Sequence, residues 1–336
     1  MNQPVARMQK VIETVLIPDG VRPAVPRLPM ACFQFNQPMI PAAKFSWNAQ
    51  PEHTNAQTFF IRVQQRHIAF RLLRKAGGLG RRPVLMLLHG MGLHIASFYG
   101  IAGYVLRTHD LLLVDYNSYA VAAGWPVGGV SLREMVADAM RVPEALQIPQ
   151  VAVGGSSLGG GMSLMAALDF PRRVSSVTVF NPAYYPQKLP TFYRILRVPI
   201  LGELVIAAMK PDQLVCGIAT VGYDHPEAMA SDLLGIYRQN MRPLANRLRL
   251  MDAIRALPTR PAEIKSFLVQ ARWLKQPVLV IWGKLDTLLA PGTHEKLKSD
   301  LPNLTYYEFP QLSHLPHEEA PDAVGPLVAK FLIDNG

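Results

Sequence analysis

Ser157 lies at the centre of Gly155-Ser156-Ser157-Leu158-Gly159, directly after the apolar run Val151-Ala152-Val153 and directly before a helix-like stretch. A serine at the apex of a strand-to-helix turn has a strained backbone, and its hydroxyl stands clear of the sheet. The flanking glycines leave room for neighbouring strands to approach. A hydroxyl is a poor nucleophile until a base takes its proton, so the pattern calls for a histidine oriented by a carboxylate. Asp286 follows the run Ile281-Trp282-Gly283, and His314 follows Tyr307-Glu308-Phe309. Both are expected just beyond the C-terminal ends of strands, on the edge that carries Ser157. Their order, Ser then Asp then His, suits a nucleophile elbow, and the chemistry of such a set is acyl transfer. Other residues fit less well. His317 sits closer to the final helix, Asp300 falls near a strand start on the opposite edge, and Asp252 and Glu308 are weaker acids for the role. Ser156 precedes the apex, so its side chain should point elsewhere. A phosphate-holding dinucleotide turn would need its glycine spacing after a first strand, whereas this turn comes near mid-chain.

A developing oxyanion needs two backbone N–H donors. One is expected from Leu158, at the positive end of the helix that follows the serine. The second is expected from the loop His89-Gly90-Met91-Gly92, where the Met91 N–H is the best placed.

Several elements must hold these residues. Residues 58–63 and 67–73 alternate apolar and polar side chains about Gln64-Gln65-Arg66 and predict a hairpin. Continuous apolar runs at 83–88, 111–114, 151–155, 174–180 and 277–283 suit strands buried on both faces of a parallel sheet. A further strand is expected at 305–309. Ser131 and Glu134 form a capping box for a helix to about residue 146, which must absorb Pro143. Helices are also expected over 158–168, from 293, and over 321–333. Alternating strands and helices predict a mostly parallel sheet with helices on both faces. Residues 183–273 break that rhythm with helical pieces separated by prolines, and read as an insertion over the C-terminal strand ends, where open sheets bind ligands. The chain thus divides into a proline-rich arm (1–55), a core (56–182 and 274–336) and a helical cap (183–273).

Composition narrows the partners. Hydrophobic content of 49% and charged content of 17% describe a globular chain. The formal net charge is +10, with Lys and Arg spread along the chain and no nucleic-acid-binding signature, so no nucleic-acid partner is expected. The two cysteines, Cys32 and Cys216, have no metal spacing and read as free thiols. No apolar stretch reaches the length of a membrane span, and a cytoplasmic protein is expected, without stable membrane insertion.

The segments Leu87-Leu88-His89-Gly90-Met91-Gly92, Val153-Gly154-Gly155-Ser156-Ser157-Leu158-Gly159-Gly160, Ile281-Trp282-Gly283-Lys284-Leu285-Asp286 and Ser313-His314-Leu315-Pro316-His317 together resemble the α/β-hydrolase superfamily of esterases, lipases and capped carbon–carbon bond hydrolases. The resemblance implies a Ser157–His314–Asp286 triad, no cofactor and no metal. It spans residues 58–334 and leaves the substrate open, because one fold hosts many chemistries. Leu315 stands where hydrolases of the meta-cleavage type tend to carry tryptophan, and Ser157 stands where dehalogenases and epoxide hydrolases place aspartate. The expectation is therefore a serine carboxylesterase of largely apolar small-molecule esters. Carbon–carbon bond hydrolysis, or a non-catalytic binding role, are the alternatives. Within the insertion, Leu201, Leu204, Val205 and Ala208 share one helical face and are expected to wall an acyl pocket rather than form a lid that opens on lipid.

Overall fold

The computed structural model describes residues 58–63, 66–74, 82–116, 130–185, 191–257 and 270–335. The proline-rich arm and Cys32 lie outside the described residues.

Among the described residues, eight strands form one sheet in the order β1-β2-β4-β3-β5-β6-β7-β8. They are β1 (Phe59–Val63), β2 (Arg66–Leu73), β3 (Val84–Leu88), β4 (Asp110–Asp115), β5 (Val151–Ser156), β6 (Val174–Phe180), β7 (Val278–Gly283) and β8 (Leu304–Phe309). β1 and β2 make the expected hairpin, and β2 runs antiparallel to β4. All remaining pairs are parallel.

The apolar runs explain why this sheet is covered twice. Successive side chains in a strand face opposite sides. In β3, Met86 and Leu88 enter one core while Leu85 and Leu87 enter the other; in β7, Val280 and Ile281 divide the same way. The helices α1 (Tyr99–Val105), α2 (Leu132–Ala145), α3 (Leu158–Asp169), α9 (Thr293–Asp300), α10 (Pro316–Glu319) and α11 (Pro321–Asn335) belong to this framework. α2, α3 and α9 pack on one face of the sheet, and α1 and α11 on the other. The Ser131 hydroxyl accepts from the Glu134 amide, and Glu134 accepts from the Ser131 amide, so the predicted capping box starts α2. Pro143 sits inside that helix, in its last turn, where it removes the one amide that would have reached the Ala139 carbonyl.

Between β6 and β7 the described residues form α4 (Thr191–Leu196), α5 (Leu201–Ala208), α6 (Pro211–Gly222), α7 (Ser231–Met241) and α8 (Leu244–Ala256). The face expected to form a wall is turned the other way. Leu201, Leu204 and Ala208 are exposed, Val205 alone of that face is half-buried against the core, and α5 buries Gly202 and Ile206 instead. Gly202 explains the choice: a Cβ there would stand 2.3 Å from the Leu196 carbonyl oxygen, so this side alone lets α5 close on α4.

Candidate active site

Two strand ends bring the serine and the glycine loop together. β3 and β5 are adjacent, with Leu88 opposite Gly155. The chain leaving β3 goes to β4 on one side and the chain leaving β5 goes to β6 on the other, which makes the crevice at the carboxyl ends of β3 and β5 a topological switch point. Ser157 turns the chain there with φ 52° and ψ −118°. That is a left-handed φ which few residues other than glycine adopt. Its amide donates to the Phe180 carbonyl at 3.0 Å, and its carbonyl accepts from Gly161 and Ala183 at 3.0 and 2.8 Å, so the turn is held from three directions. The flanking glycines are steric requirements: a Cβ on Gly155 or Gly159 would meet the Leu88 carbonyl oxygen at 2.4 or 2.0 Å. A Cβ on Gly90 would lie 3.3 Å from Ser157 Cβ, which places the His89–Gly92 loop against the serine.

Among the described residues no hydrogen bond takes the amides of Met91 or Leu158. Leu158 is the first residue of α3, whose opening amides have no partner within the helix. The loop is braced from behind. The His89 ring stacks on Tyr116 at 4.5 Å, its nitrogens stand 2.8 Å from the Gly90 carbonyl oxygen and 3.2 Å from Asp115 Oδ1, and the Tyr116 hydroxyl donates to the His89 carbonyl. Desolvation would raise the pKa of Asp115, but the His89 hydrogen bond, with the Arg249 charge nearby, holds it below the usual carboxylate range. His94 is buried and lowered to about 4, so it is neutral, and its Nδ1 accepts from the Ala96 amide.

The paired strands β7 and β8 deliver the other two residues. Asp286 and His314 follow their ends, and His314 Nδ1 donates to Asp286 Oδ2 at 2.7 Å. Asp286 is surrounded by donors. Oδ2 also accepts from Asn181 Nδ2 at 2.7 Å, and Oδ1 accepts from the Leu288 and Leu289 amides at 2.8 and 3.0 Å. Burial opposes ionisation, yet His314 and these donors hold the carboxyl below its usual range. Asp286 is therefore ionised at neutral pH, which keeps Nδ1 of His314 as the donor. His314 Nε2 is buried and makes no hydrogen bond among the described residues. Ser157 and His314 are 8% and 3% exposed, so the site is almost closed to bulk water.

Asn181 went unpredicted, although it ends β6 at the edge that holds the other residues. Its side chain also bonds Gly283 through both amide atoms, tying β6 to the start of the aspartate loop. Glu319 also went unpredicted; it accepts from the Ser313 amide at 2.8 Å and fixes the histidine loop.

His317, the alternative base, is not brought to the serine. It is fully buried between Phe98 and Phe180, with ring centroids at 5.1 and 4.6 Å, and Ser97 Oγ lies 2.8 Å from its Nε2. Burial pushes its pKa down to about 3, so it is neutral. Beside it Glu318 is buried and raised above the usual carboxylate range by that burial. Glu318 accepts from Ser97, and from Tyr223 and Tyr237 at 2.6 Å each, so residues from the insertion bond into the loop that carries His314. Asp300 is likewise occupied elsewhere, by Tyr185 and Arg272. Glu308 accepts from Tyr306, and Asp252 lies buried in α8.

The insertion reaches the site through α6 and α8. Gly92 has φ 78°, and a Cβ there would meet Ile218 at 3.2 Å and Leu250 at 3.5 Å. Leu315, next to His314, donates its amide to the Gly222 carbonyl at the end of α6. An apolar surface therefore does lie over the glycine loop, built from Ile218 and Leu250 in place of the α5 face.

The chain matches the family model for the alpha/beta hydrolase fold over residues 83–200. It is 22% identical over 252 residues to the uncharacterised hydrolase YugF of Bacillus subtilis (strain 168), covering 75% of this chain and 90% of that one. It is 26% identical over 285 residues to the 2-hydroxy-6-oxononadienedioate/2-hydroxy-6-oxononatrienedioate hydrolase of Cupriavidus pinatubonensis, covering 81% of this chain and 94% of that one. Among solved structures, an enol-lactonase from Burkholderia xenovorans LB400 superposes with a TM-score of 0.68 at 17% identity, covering 82% of this chain and all (100%) of that one. A hydrolase from Pseudomonas aeruginosa PA01 gives 0.67 at 20% identity, covering 83% and 99%.

Proposed function

We propose that this member of the α/β-hydrolase superfamily is a serine hydrolase of carboxylic esters whose acyl part is largely apolar. The observation that carries the reading is the pair Asp286–His314 at 2.7 Å with His314 Nε2 unpartnered, on the sheet edge that also carries the strained Ser157. Among the described residues, His317 also has an unpartnered ring nitrogen, but it is packed between Phe98 and Phe180 away from the serine.

Ser157 Oγ attacks the ester carbonyl carbon while His314 Nε2 takes its proton. Asp286 holds the imidazole in the correct tautomer and stabilises the imidazolium. The Met91 and Leu158 amides stabilise the oxyanion of the tetrahedral intermediate. His314 then gives the proton to the leaving alkoxide, and the C–O bond breaks to leave an acyl-Ser157. A water molecule, deprotonated by His314, attacks that ester, and the acid departs as the proton returns to Ser157. Apo hydrogen bonds of this kind are often long and tighten only with substrate, which is consistent with a serine and a histidine that do not yet touch. The helical cap contributes Ile218 and Leu250 above the glycine loop, an apolar lining that suits an acyl chain.

A fluorophosphonate probe tests the reading. It should label the wild-type protein at Ser157 and leave Ser157→Ala unlabelled, while Ser156→Ala labels normally. Ser157→Ala, His314→Ala and Asp286→Asn should each lower kcat for p-nitrophenyl butyrate by about 10³-fold or more with the fold intact. Full activity in Ser157→Ala would refute it. A second reading has support from the relatives: the Cupriavidus pinatubonensis protein is a hydrolase of a 2-hydroxy-6-oxo dienedioate. The same three residues would then serve carbon–carbon bond cleavage. Faster turnover of such a dienoate than of p-nitrophenyl butyrate, in parallel assays, would favour it.

A further inference from the structure

The outer face of the cap carries an apolar surface that the site does not use. Ile195, Val198, Ile200, Leu201 and Leu204 are all exposed, Ile200 at 74% and Leu204 at 63%. They follow one another through the end of α4, the connecting turn and the first turns of α5. Exposed aliphatic residues scattered singly are ordinary, whereas a contiguous group marks an interaction surface.

The backbone at the tip is strained in a way that keeps this surface in water. Ile200 has φ 67° and ψ −53°, a region that a β-branched residue rarely enters. The turn is held there by its neighbours: the Gly202 amide donates to the Val198 carbonyl at 2.9 Å, and the Leu204 amide donates to the Ile200 carbonyl at 3.0 Å. Glycine would occupy this position without strain. Isoleucine contributes only an exposed aliphatic side chain.

Basic residues flank the patch along the chain. Arg194 and Lys210 are exposed and have no carboxylate partner among the described residues. The acid within the segment, Glu203, is neutralised by Arg255 through two bonds of 2.7 and 3.0 Å. The whole chain has a formal net charge of +10.

We propose that this face docks peripherally on an anionic lipid surface, with Ile200 and Leu204 entering the interface and Arg194 and Lys210 meeting the headgroup phosphates. An apolar tip flanked by basic residues gains from both burial and charge at such a surface. A second copy of the chain is the poorer occupant, because docking like on like brings two sets of basic residues together. The inference is independent of the catalytic reading, and Ser157→Ala protein should dock as the wild type does.

Vesicle flotation tests it, using phosphatidylcholine alone and phosphatidylcholine with about 30% phosphatidylglycerol. The full chain should float with the mixed vesicles, be released by high salt, and bind neutral vesicles far more weakly. Ile200→Gly relieves the strained φ, so its thermal midpoint should be unchanged or higher, yet its affinity for mixed vesicles should fall about tenfold. Arg194→Glu with Lys210→Glu should remove the preference for phosphatidylglycerol. Failure of the wild type to float, or equal flotation of wild type and Ile200→Gly, would overturn the proposal. So would a dimer, seen by light scattering, that Ile200→Gly dissociates.

Discussion

Asn181 shows how much of the candidate site depends on a residue with no reactive atom of its own. It ends a strand seated between β5 and β7, and its side chain spans the gap to Asp286. Its φ of 39° is one that asparagine tolerates, and aspartate shares that tolerance. Asn181→Asp should therefore fold, but it replaces a donor to Asp286 Oδ2 with a second carboxylate. The added negative charge holds protons on the Asp286–His314 pair, so the acid limb of kcat/KM should move to higher pH. At neutral pH kcat should fall about tenfold or more with little change in KM. A pH–rate profile that overlays the wild type would mean that Asn181 is only a strand-end clamp. His317 makes a different prediction. Unfolded, it takes up a proton near 6.5; folded, only near 3, because burial excludes the charge. Stability is thus complete above about pH 6.5 and falls as the pH drops below it. Urea midpoints measured at pH 7.5 and pH 5 should differ less in His317→Gln than in the wild type. That Ser157, Asp286 and His314 would share one sheet edge was legible in the chain, because each was read as following a strand, and the end of a strand in a parallel sheet has a known edge. Asn181 was not, since a lone asparagine after a strand reads as a turn residue until the strand order is known.

At the scale of elements, one contact between the β6–β7 insertion and the rest of the chain is a buried carboxylate. Glu318 sits on α10, and the Tyr223 and Tyr237 hydroxyls reach it from the end of α6 and from α7. Burial raises its pKa, so the folded state holds its proton more tightly than the unfolded chain does. This contribution favours the fold below the unfolded carboxyl pKa and is lost as pH rises through the folded one. Tyr237→Phe takes a donor from the ionised form and should cost about 1–3 kcal/mol. The cost should be larger at pH 8 than at pH 5, which thermal melts at the two values would reveal. Equal losses at both would show that Tyr237 contributes packing alone. Element types were largely readable: the capping box at Ser131, the apolar strands and the β1–β2 hairpin all form. The direction of the α5 face was not. Helical spacing reports that an apolar stripe exists, whereas the contact of Gly202 with the Leu196 carbonyl decides which side turns inward. α1 also went unpredicted, because Gly100 and Gly103 interrupt its pattern.

For the whole molecule, the parallel sheet was expected from the rhythm of strands and helices, but the order of its strands was not, since pairing across the cap is set by tertiary packing. That order has a consequence in time. Ser157 and the glycine loop come from β5 and β3, which pair across a shorter stretch of chain than β6 and β7 do, while Asp286 and His314 arrive on strands that join β6 only after the chain has spanned α4 to α8. Contacts separated by so much sequence form slowly. A refolding chain should therefore recover helical circular dichroism before it regains reactivity toward a fluorophosphonate. The delay should vanish in no variant that leaves the cap in place between β6 and β7. Recovery of both signals with one rate constant would show that the two halves of the sheet assemble together. If the delay is seen, the serine turn is formed first and stays inert, so a half-folded chain would carry the proposed nucleophile without the means to use it on the wrong target.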